Sequence, residues 1–381
     1  MRIALFTDTF LPQVNGVART LGRWVIEARV REHAVAVISP RIPGADPPDA
    51  DLHIDVPSIP FPFYPELRVA APPGPWEMGR LRAFAPDIVH VATEFGIGWA
   101  GAAFADANHI PLVTSFHTDF PAYLSGYGFG GLERLAWDYL RAFHRRARVT
   151  FCPSHATLAQ LKDAGFRNSV RIWSRGVDAV NFTPARRSSA VRSAIAPGAR
   201  RILLYVGRLA PEKRLDVLLD AFANVHEQIR DVALVIVGHG PAADELRRRQ
   251  AHGVHFTGYL TGEALADAYA AADAFVFPSD TETFGNVVVE ALASGLPVIS
   301  ANRGGVTDTV RPGVNGLLVP AGDTAAFADA MLRLLADDRL HATLAANARA
   351  GALERNWNRV FDELFREYET IMAVASPARV A

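Results

Sequence analysis

A chain of 381 residues, 50% hydrophobic and 21% charged, holds enough apolar material for two packed domains. Its formal net charge of −1 excludes the strongly basic balance of a general nucleic-acid binder. Its single cysteine, Cys152, excludes an internal disulfide framework, no apolar run is long enough to span a bilayer, and the start Met1–Asp8 turns polar too soon for a signal peptide, so a cytoplasmic location is expected.

In chain order, Arg2–Phe6 reads as a strand, Gly16–Glu27 as a helix and His33–Ser39 as a strand. The connection runs Phe10-Leu11-Pro12-Gln13-Val14-Asn15-Gly16-Val17-Ala18-Arg19, where a glycine at the helix start suits close approach of a phosphate. The full G-x-G-x-x-G pattern is absent, so no dinucleotide is expected. The stretch from Pro40 to Pro75 is rich in Pro and Asp and is expected to be mostly loop. Within it Asp49-Ala50-Asp51 spells D-x-D, but no phosphate loop lies near it in sequence. It reads as solvated loop charge, and no metal site is expected.

Ile88–Val91 and Leu112–Ser115 read as buried strands separated by small-residue helical sequence, the pattern of a parallel sheet. The second runs into Ser115-Phe116-His117-Thr118-Asp119-Phe120. Ligands of parallel sheets bind outside the carboxyl ends of strands, which makes His117 a candidate and Asp119 a weaker one. Gly131–Arg148 is expected to be a helix with Leu132, Leu135, Ala136, Tyr139 and Phe143 on one face and Arg134, Arg141, Arg145 and Arg148 on another. That basic face reads either as ordinary solvated surface or as a patch for anionic lipid headgroups, with Trp137 and Phe61-Pro62-Phe63-Tyr64 assisting insertion.

The sequence turns irregular near residues 178–200, and the strand–helix alternation then restarts. The expected divisions are a first domain over 1–177, a linker over 178–198, a second domain over 199–355 and a helical segment over 356–381. Ile202–Val206 reads as a strand, Arg214–Val225 as a helix, Val232–Val237 as a strand and Pro241–Gln250 as a helix, followed by strands at His255-Phe256 and Ala274–Phe277. Trp357–Met372 reads as a helix. Two doubly wound Rossmann-like α/β domains facing a cleft are the architecture this order implies.

Three loops of the second half carry chemistry. Gly207-Arg208-Leu209-Ala210-Pro211-Glu212-Lys213 follows a strand. Two cations at a helix start oppose its dipole unless an anion lies between them, which points to a diphosphate. Among 39 basic residues only Lys162 and Lys213 are lysines, so Lys213 is a candidate for a site that needs a compact ammonium. Gly238-His239-Gly240-Pro241 opens a helix after another strand. In Gly258-Tyr259-Leu260, Tyr259 either packs in the core or lies near a ligand. The most informative loop is Pro278-Ser279-Asp280-Thr281-Glu282-Thr283-Phe284-Gly285-Asn286-Val287, with Glu290 farther along the helix that Gly295 and Pro297 end. The amides of Gly285 and Asn286 at the helix start form an anion site flanked by two carboxylates, the layout of a nucleotide-sugar site.

Glu282 and Glu290, with seven residues between them and followed by Ser294-Gly295-Leu296-Pro297-Val298-Ile299, resemble the E-x7-E signature of retaining GT-B-fold glycosyltransferases of family 4. G-R-L-x-x-x-K, the G-x-G-P loop, Asn15-Gly16-Val17 and His117-Thr118-Asp119-Phe120-Pro121 agree with that resemblance. The last two look closest to mannosyl- and sulfoquinovosyl-type enzymes of lipids. The resemblance implies hexosyl transfer from a GDP- or UDP-sugar to a lipid or glycan hydroxyl; no cofactor or metal is expected, and an anionic membrane surface is a partner under the second reading of the basic face. It implies catalytic roles for His117, Arg208, Lys213 and Glu282, and donor contacts at Asn15, Gly16, Gly207, Gly238, Gly240, Tyr259, Leu260, Thr283, Phe284, Gly285, Asn286, Val287 and Glu290. It also implies that the final helix crosses back to the first domain. Two rival classes share the pattern: a sugar-nucleotide epimerase, which needs no acceptor, and a non-catalytic nucleotide-sugar binder.

Overall fold

The computed structural model describes residues 1–375 except Val14, Ala45, Pro62, Phe63, 127–129 and Gln250. By its internal contacts the chain forms two units. One comprises Met1–Thr118, Leu132–Ser174 and Asn358 onward; the other comprises Asp119–Gly131 and Arg175–Trp357. The stretch 178–198, expected as a linker, is part of the second unit. It carries the short helix Ser189–Ile195, and Arg187 and Arg192 hold the buried Asp273 at 2.6 and 3.1 Å.

The first unit is built on β1 (Arg2–Phe6), β2 (Ala34–Pro40), β3 (Leu52–Val56), a hairpin of β4 (Ser58–Phe61) and β5 (Tyr64–Ala70), then β6 (Ile88–Val91), β7 (Leu112–Ser115), β8 (Val149–Cys152) and β9 (Ser169–Ile172). Seven of these make one parallel sheet in the order β3-β2-β1-β6-β7-β8-β9. Runs such as Ile3-Ala4-Leu5-Phe6 are fully buried, as strands covered on both faces must be. Pro40–Pro75 departs from the expected loop, since it holds β3 and the hairpin. In β3, Ile54 and Val56 alternate inward, and the prolines of the hairpin sit in a two-stranded sheet where few ladder donors are lost. Pro62 and Phe63, named above for membrane insertion, lie outside the described residues.

The helix expected over Gly131–Arg148 runs from Glu133 to His144 after a single 3₁₀ turn. Its buried face keeps only Phe143 of those expected: Leu140 and His144 are buried with it, whereas Leu132 and Leu135 stand 48% and 65% exposed. A histidine displaces the apolar stripe because its partners lie inside. His144 Nδ1 is 2.8 Å from Thr114 Oγ1, and its Nε2 is 3.2 Å from the buried Glu94 carboxylate. Trp137 stacks on Phe116 with 12° between the rings, so it belongs to the first unit's packing. The helix Trp357–Ala375 completes the same core. Phe361, Leu364, Phe365 and Tyr368 are buried, and the Tyr368 hydroxyl meets Nδ1 of the fully buried His90.

The second unit repeats the plan with β10 (Arg201–Val206), β11 (Val232–Val237), β12 (Val254–Gly258), β13 (Ala274–Phe277), β14 (Val298–Ala301) and β15 (Gly316–Val319), all parallel in the order β12-β11-β10-β13-β14-β15. No helix among the described residues is long and apolar enough to cross a membrane.

Candidate active site

In the second sheet the strand order reverses between β10 and β13, which pair directly. The loops leaving the carboxyl ends of these two neighbours diverge from one point, where doubly wound sheets bind ligands. From β10 come Arg208 and the 3₁₀ turn Pro211–Lys213; from β13 comes the loop that reaches Glu282. Lys213 Nζ donates to Glu282 Oε1, and the buried Ser279 Oγ donates to the same oxygen at 3.1 Å. The two charged side chains are only 12% and 17% exposed. Arg208 lies 3.5 Å from Glu212 Oε1, and Glu212 is buried. Beneath them burial raises the Tyr205 hydroxyl pKa, and that hydroxyl donates to the Arg208 carbonyl at 3.0 Å.

This arrangement revises the expectation for the two cations. The helix after them starts at Leu215, and the anions that balance Arg208 and Lys213 come from the protein itself, as Glu212 and Glu282. Sequence reasoning left Glu212 and Ser279 without a role. It also missed Gly304-Gly305, which follow β14. Gly305 N donates to the Glu282 carbonyl at 2.7 Å, and a Cβ on Gly305 would fall 2.1 Å from the Thr283 carbonyl oxygen. Paired glycines closely following a strand were the available signal, since only glycine lets two backbones approach so closely.

Gly285 takes φ +89° and opens the helix Asn286–Ala293. Glu290 is buried on that helix and accepts a hydrogen bond from the Tyr269 hydroxyl at 3.0 Å; the same hydroxyl also lies 3.2 Å from the Val287 carbonyl. Phe284 is buried under the Arg355 guanidinium, and Thr283 is half-buried. Gly207, Gly238 and Gly240 have a packing reason. A Cβ on Gly238 would meet the Gly207 carbonyl oxygen at 1.9 Å, and one on Gly240 would meet that of Leu209 at 2.3 Å. Tyr259 is exposed rather than in the core, beside the half-buried Leu260.

The remaining candidates lie in the first unit, except Asp119, which falls in the second. His117, just beyond the carboxyl end of β7, is buried edge-on to Trp173 with ring centroids 5.5 Å apart. Asp119 accepts from Ala122 N at 3.0 Å and caps the short helix Phe120–Gly126. Asn15 caps the helix Gly16–Val30 by accepting from Ala18 N at 2.8 Å, while its amide donates to Thr9; Gly16 is exposed at that helix start. At the first sheet's own reversal point, between β1 and β6, Asp8 accepts from Thr93 Oγ1 at 2.7 Å and Ile97 N at 3.0 Å. Burial raises its pKa against those hydrogen bonds. The D-x-D carboxylates are held by the fold. Asp51 accepts from Val35 N at 2.8 Å and from Arg29 at 3.1 Å, and Asp49 pairs with Arg29 at 3.2 Å.

Solved structures share this fold. Sucrose-phosphate synthase from Thermosynechococcus elongatus superposes with a TM-score of 0.77 at 22% identity over 98% of this chain and 100% of that one. Anabaena HepE in complex with UDP superposes at 0.74 and 21% over 97% and 100%. The fold is thus that of the GT-B glycosyltransferases. A family model described as Glycosyltransferase Family 4 matches residues 14–180, and one described as Glycosyl transferases group 1 matches residues 200–337. The chain is 32% identical to the sulfoquinovosyl transferase of Arabidopsis thaliana over 79% of its own length and 60% of that protein. It is 38% identical to a GDP-mannose-dependent alpha-mannosyltransferase of Mycolicibacterium smegmatis over 98% of each chain. Likeness at that level along the entire length settles the lineage: the chain belongs to glycosyltransferase family 4.

Proposed function

We propose that this chain is a retaining, metal-independent mannosyltransferase that moves mannose from GDP-mannose to a hydroxyl of a lipid or glycan. The observation that carries the reading is the meeting of Lys213 with Glu282 where the second sheet reverses, a cation for a diphosphate beside an acceptor for sugar hydroxyls. The relative named for GDP-mannose supports the choice of donor. Arg208, Lys213 and the amides of Gly285 and Asn286 take the diphosphate. Glu282 takes the sugar hydroxyls and Glu290 the ribose, while Gly207, Gly238, Gly240, Tyr259, Leu260, Thr283, Phe284 and Val287 line the nucleotide. From the first unit, Asn15 and Gly16 serve the donor, and His117 serves the transferred sugar or the acceptor.

In the reaction the bond from the sugar C1 to the phosphate oxygen breaks, and the acceptor oxygen bonds to C1 on the same face. The acceptor proton passes to the departing phosphate, so no side-chain nucleophile is needed. Charge growing on that phosphate is stabilised by Arg208 and Lys213. Asp49 and Asp51 are committed to Arg29, which supports a reaction without a divalent ion. The acceptor membrane is met through Arg134, Arg145 and Arg148, with the exposed Leu132 and Leu135 beside them. Binding to anionic vesicles that weakens with salt is the expected sign; no binding at low salt removes this part of the proposal.

A thermal-shift panel of GDP-mannose, GDP, UDP-glucose and UDP tests the donor. A ligand at a hundred times its Kd stabilises by about 2.7 kcal/mol, a shift of a few degrees for a chain of this size. No shift with any of the four would sink the reading. Product formed from GDP-mannose without acceptor would favour the epimerase class instead.

A further inference from the structure

Four residues other than glycine take positive φ among those described: Glu32, Ala85, His109 and Arg214. The first three sit just past the ends of the helices Gly16–Val30, Pro75–Phe84 and Gly96–Ala107, where a left-handed residue is the ordinary terminator. Arg214, at φ 53° and ψ 38°, ends the 3₁₀ turn Pro211–Lys213, its N–H donating to the Pro211 carbonyl at 3.1 Å, and at the same time stands at the start of the helix Leu215–Gln228, where it makes no side-chain capping bond. Extended Ser, Thr, Asp or Asn suits that position, and arginine avoids the left-handed region. The left-handed turn thus terminates Pro211–Lys213, and what is unfavourable locally is an arginine in it and the missing N-cap of the next helix. What it achieves is tertiary. The guanidinium reaches Asp280 at 3.6 Å and Asp216 at 3.5 Å, and the Asp280 side chain is only 16% exposed. Asp280 lies in the loop that carries Ser279 and Glu282, and Arg214 directly follows Lys213.

We infer that Arg214 is a positioning residue for transfer: through Asp280 it fixes the loop that holds Glu282 against Lys213. Backbone held in a sparsely populated region is characteristic of functional sites. Here the held turn joins the cation and the carboxylate of the donor site. The inference rests on the proposed role of Glu282.

The test measures GDP release from GDP-mannose with a lipid extract as acceptor, together with the thermal midpoint and GDP affinity of each variant. Arg214→Gly suits the backbone and removes only the clamp. The expected result is a kcat lower by about 10-fold, with the midpoint within about 3 °C and GDP affinity no weaker than wild type, since a loosened Glu282 competes less for Lys213. Arg214→Lys, which restores a cation, should recover most of the loss. The double variant Arg214→Gly with Asp280→Asn should be no worse than the worse single variant, because both cut one link. Wild-type kcat in Arg214→Gly, losses that multiply in the double variant, or a fall in midpoint that tracks the fall in kcat would each overturn the inference. Glu282→Gln, assayed alongside, separates the two readings. Normal turnover there rejects the donor site itself, whatever Arg214 does.

Discussion

Replacing Glu282 by glutamine keeps the side chain's shape and removes one charge from a cluster that is otherwise balanced, Arg208 with Glu212 and Lys213 with Glu282. A diphosphate arriving at Lys213 must share that ammonium with the Glu282 carboxylate. At a separation of roughly 5 Å and an effective dielectric near 20, one phosphate charge is repelled by about 3 kcal/mol. Side-chain relaxation removes part of this, which leaves about 1.5–3 kcal/mol, or about 10- to 100-fold in affinity. Glu282→Gln should therefore bind GDP about 10- to 100-fold more tightly than the wild type in calorimetric titrations at 0.15 M salt. Its transfer rate should fall by about 10²-fold, because the group that holds the sugar is weakened. Tighter product binding combined with slower transfer is a signature that simple damage to the site would not produce. GDP binding that is unchanged or weaker would mean that Lys213 and Glu282 do not compete for one position, and the charge argument would fail.

Lys213→Ala and Arg208→Ala should each reduce turnover by about 10²-fold or more, as lost transition-state charge stabilisation does; near-normal rates in both would reject the clamp. His117→Ala should lower turnover and leave nucleotide affinity close to normal, whereas joint loss of folding and binding would make it a packing residue against Trp173. Activity should survive excess EDTA, and Asp49→Ala should be nearly silent in the transfer assay; rescue of an EDTA-treated sample by magnesium would reverse that. Burial lowers the pKa values of His33 and His53 below the ordinary 6.5. A depressed folded pKa gives stability that is present above pH 6.5 and lost as pH falls below it, because the unfolded chain takes up protons first. The thermal midpoint should drop between pH 7.5 and 5.5, and less so in a His33→Gln, His53→Gln double variant; equal slopes would contradict the assignment.

The parts of this fold that announce themselves in sequence are those governed by short-range pattern. Ile3-Ala4-Leu5-Phe6, Val232–Val237 and Ala274–Phe277 are continuous apolar runs, and the expected strands are where they fall. Edge elements escaped because pairing partners define them. Ser169-Val170-Arg171-Ile172 alternates in four residues, and Leu52–Val56 lies in a stretch dominated by Pro and Asp. The helix Glu133–His144 was legible in kind and Phe143 was expected inside, but His144 was not, since its worth there depends on Thr114 and Glu94, distant in sequence. The E-x7-E spacing pointed to the loop that Lys213 meets. The four-residue spacing of Arg208 and Glu212 and the paired Gly304-Gly305 were local signals, but that the glycines hold the Glu282 loop is set by contacts distant in sequence.

The helix Trp357–Ala375 also has a meaning in time. It buries Phe361, Phe365 and Tyr368 in the core of the first unit, yet all of Arg175–Trp357 is synthesised between that unit's ninth strand and this helix. A ribosome therefore releases a complete second unit while the first still shows an open apolar groove around Trp24 and His90. The order of completion is the reverse of the order of translation, and the N-terminal half keeps apolar surface in water until this helix is made.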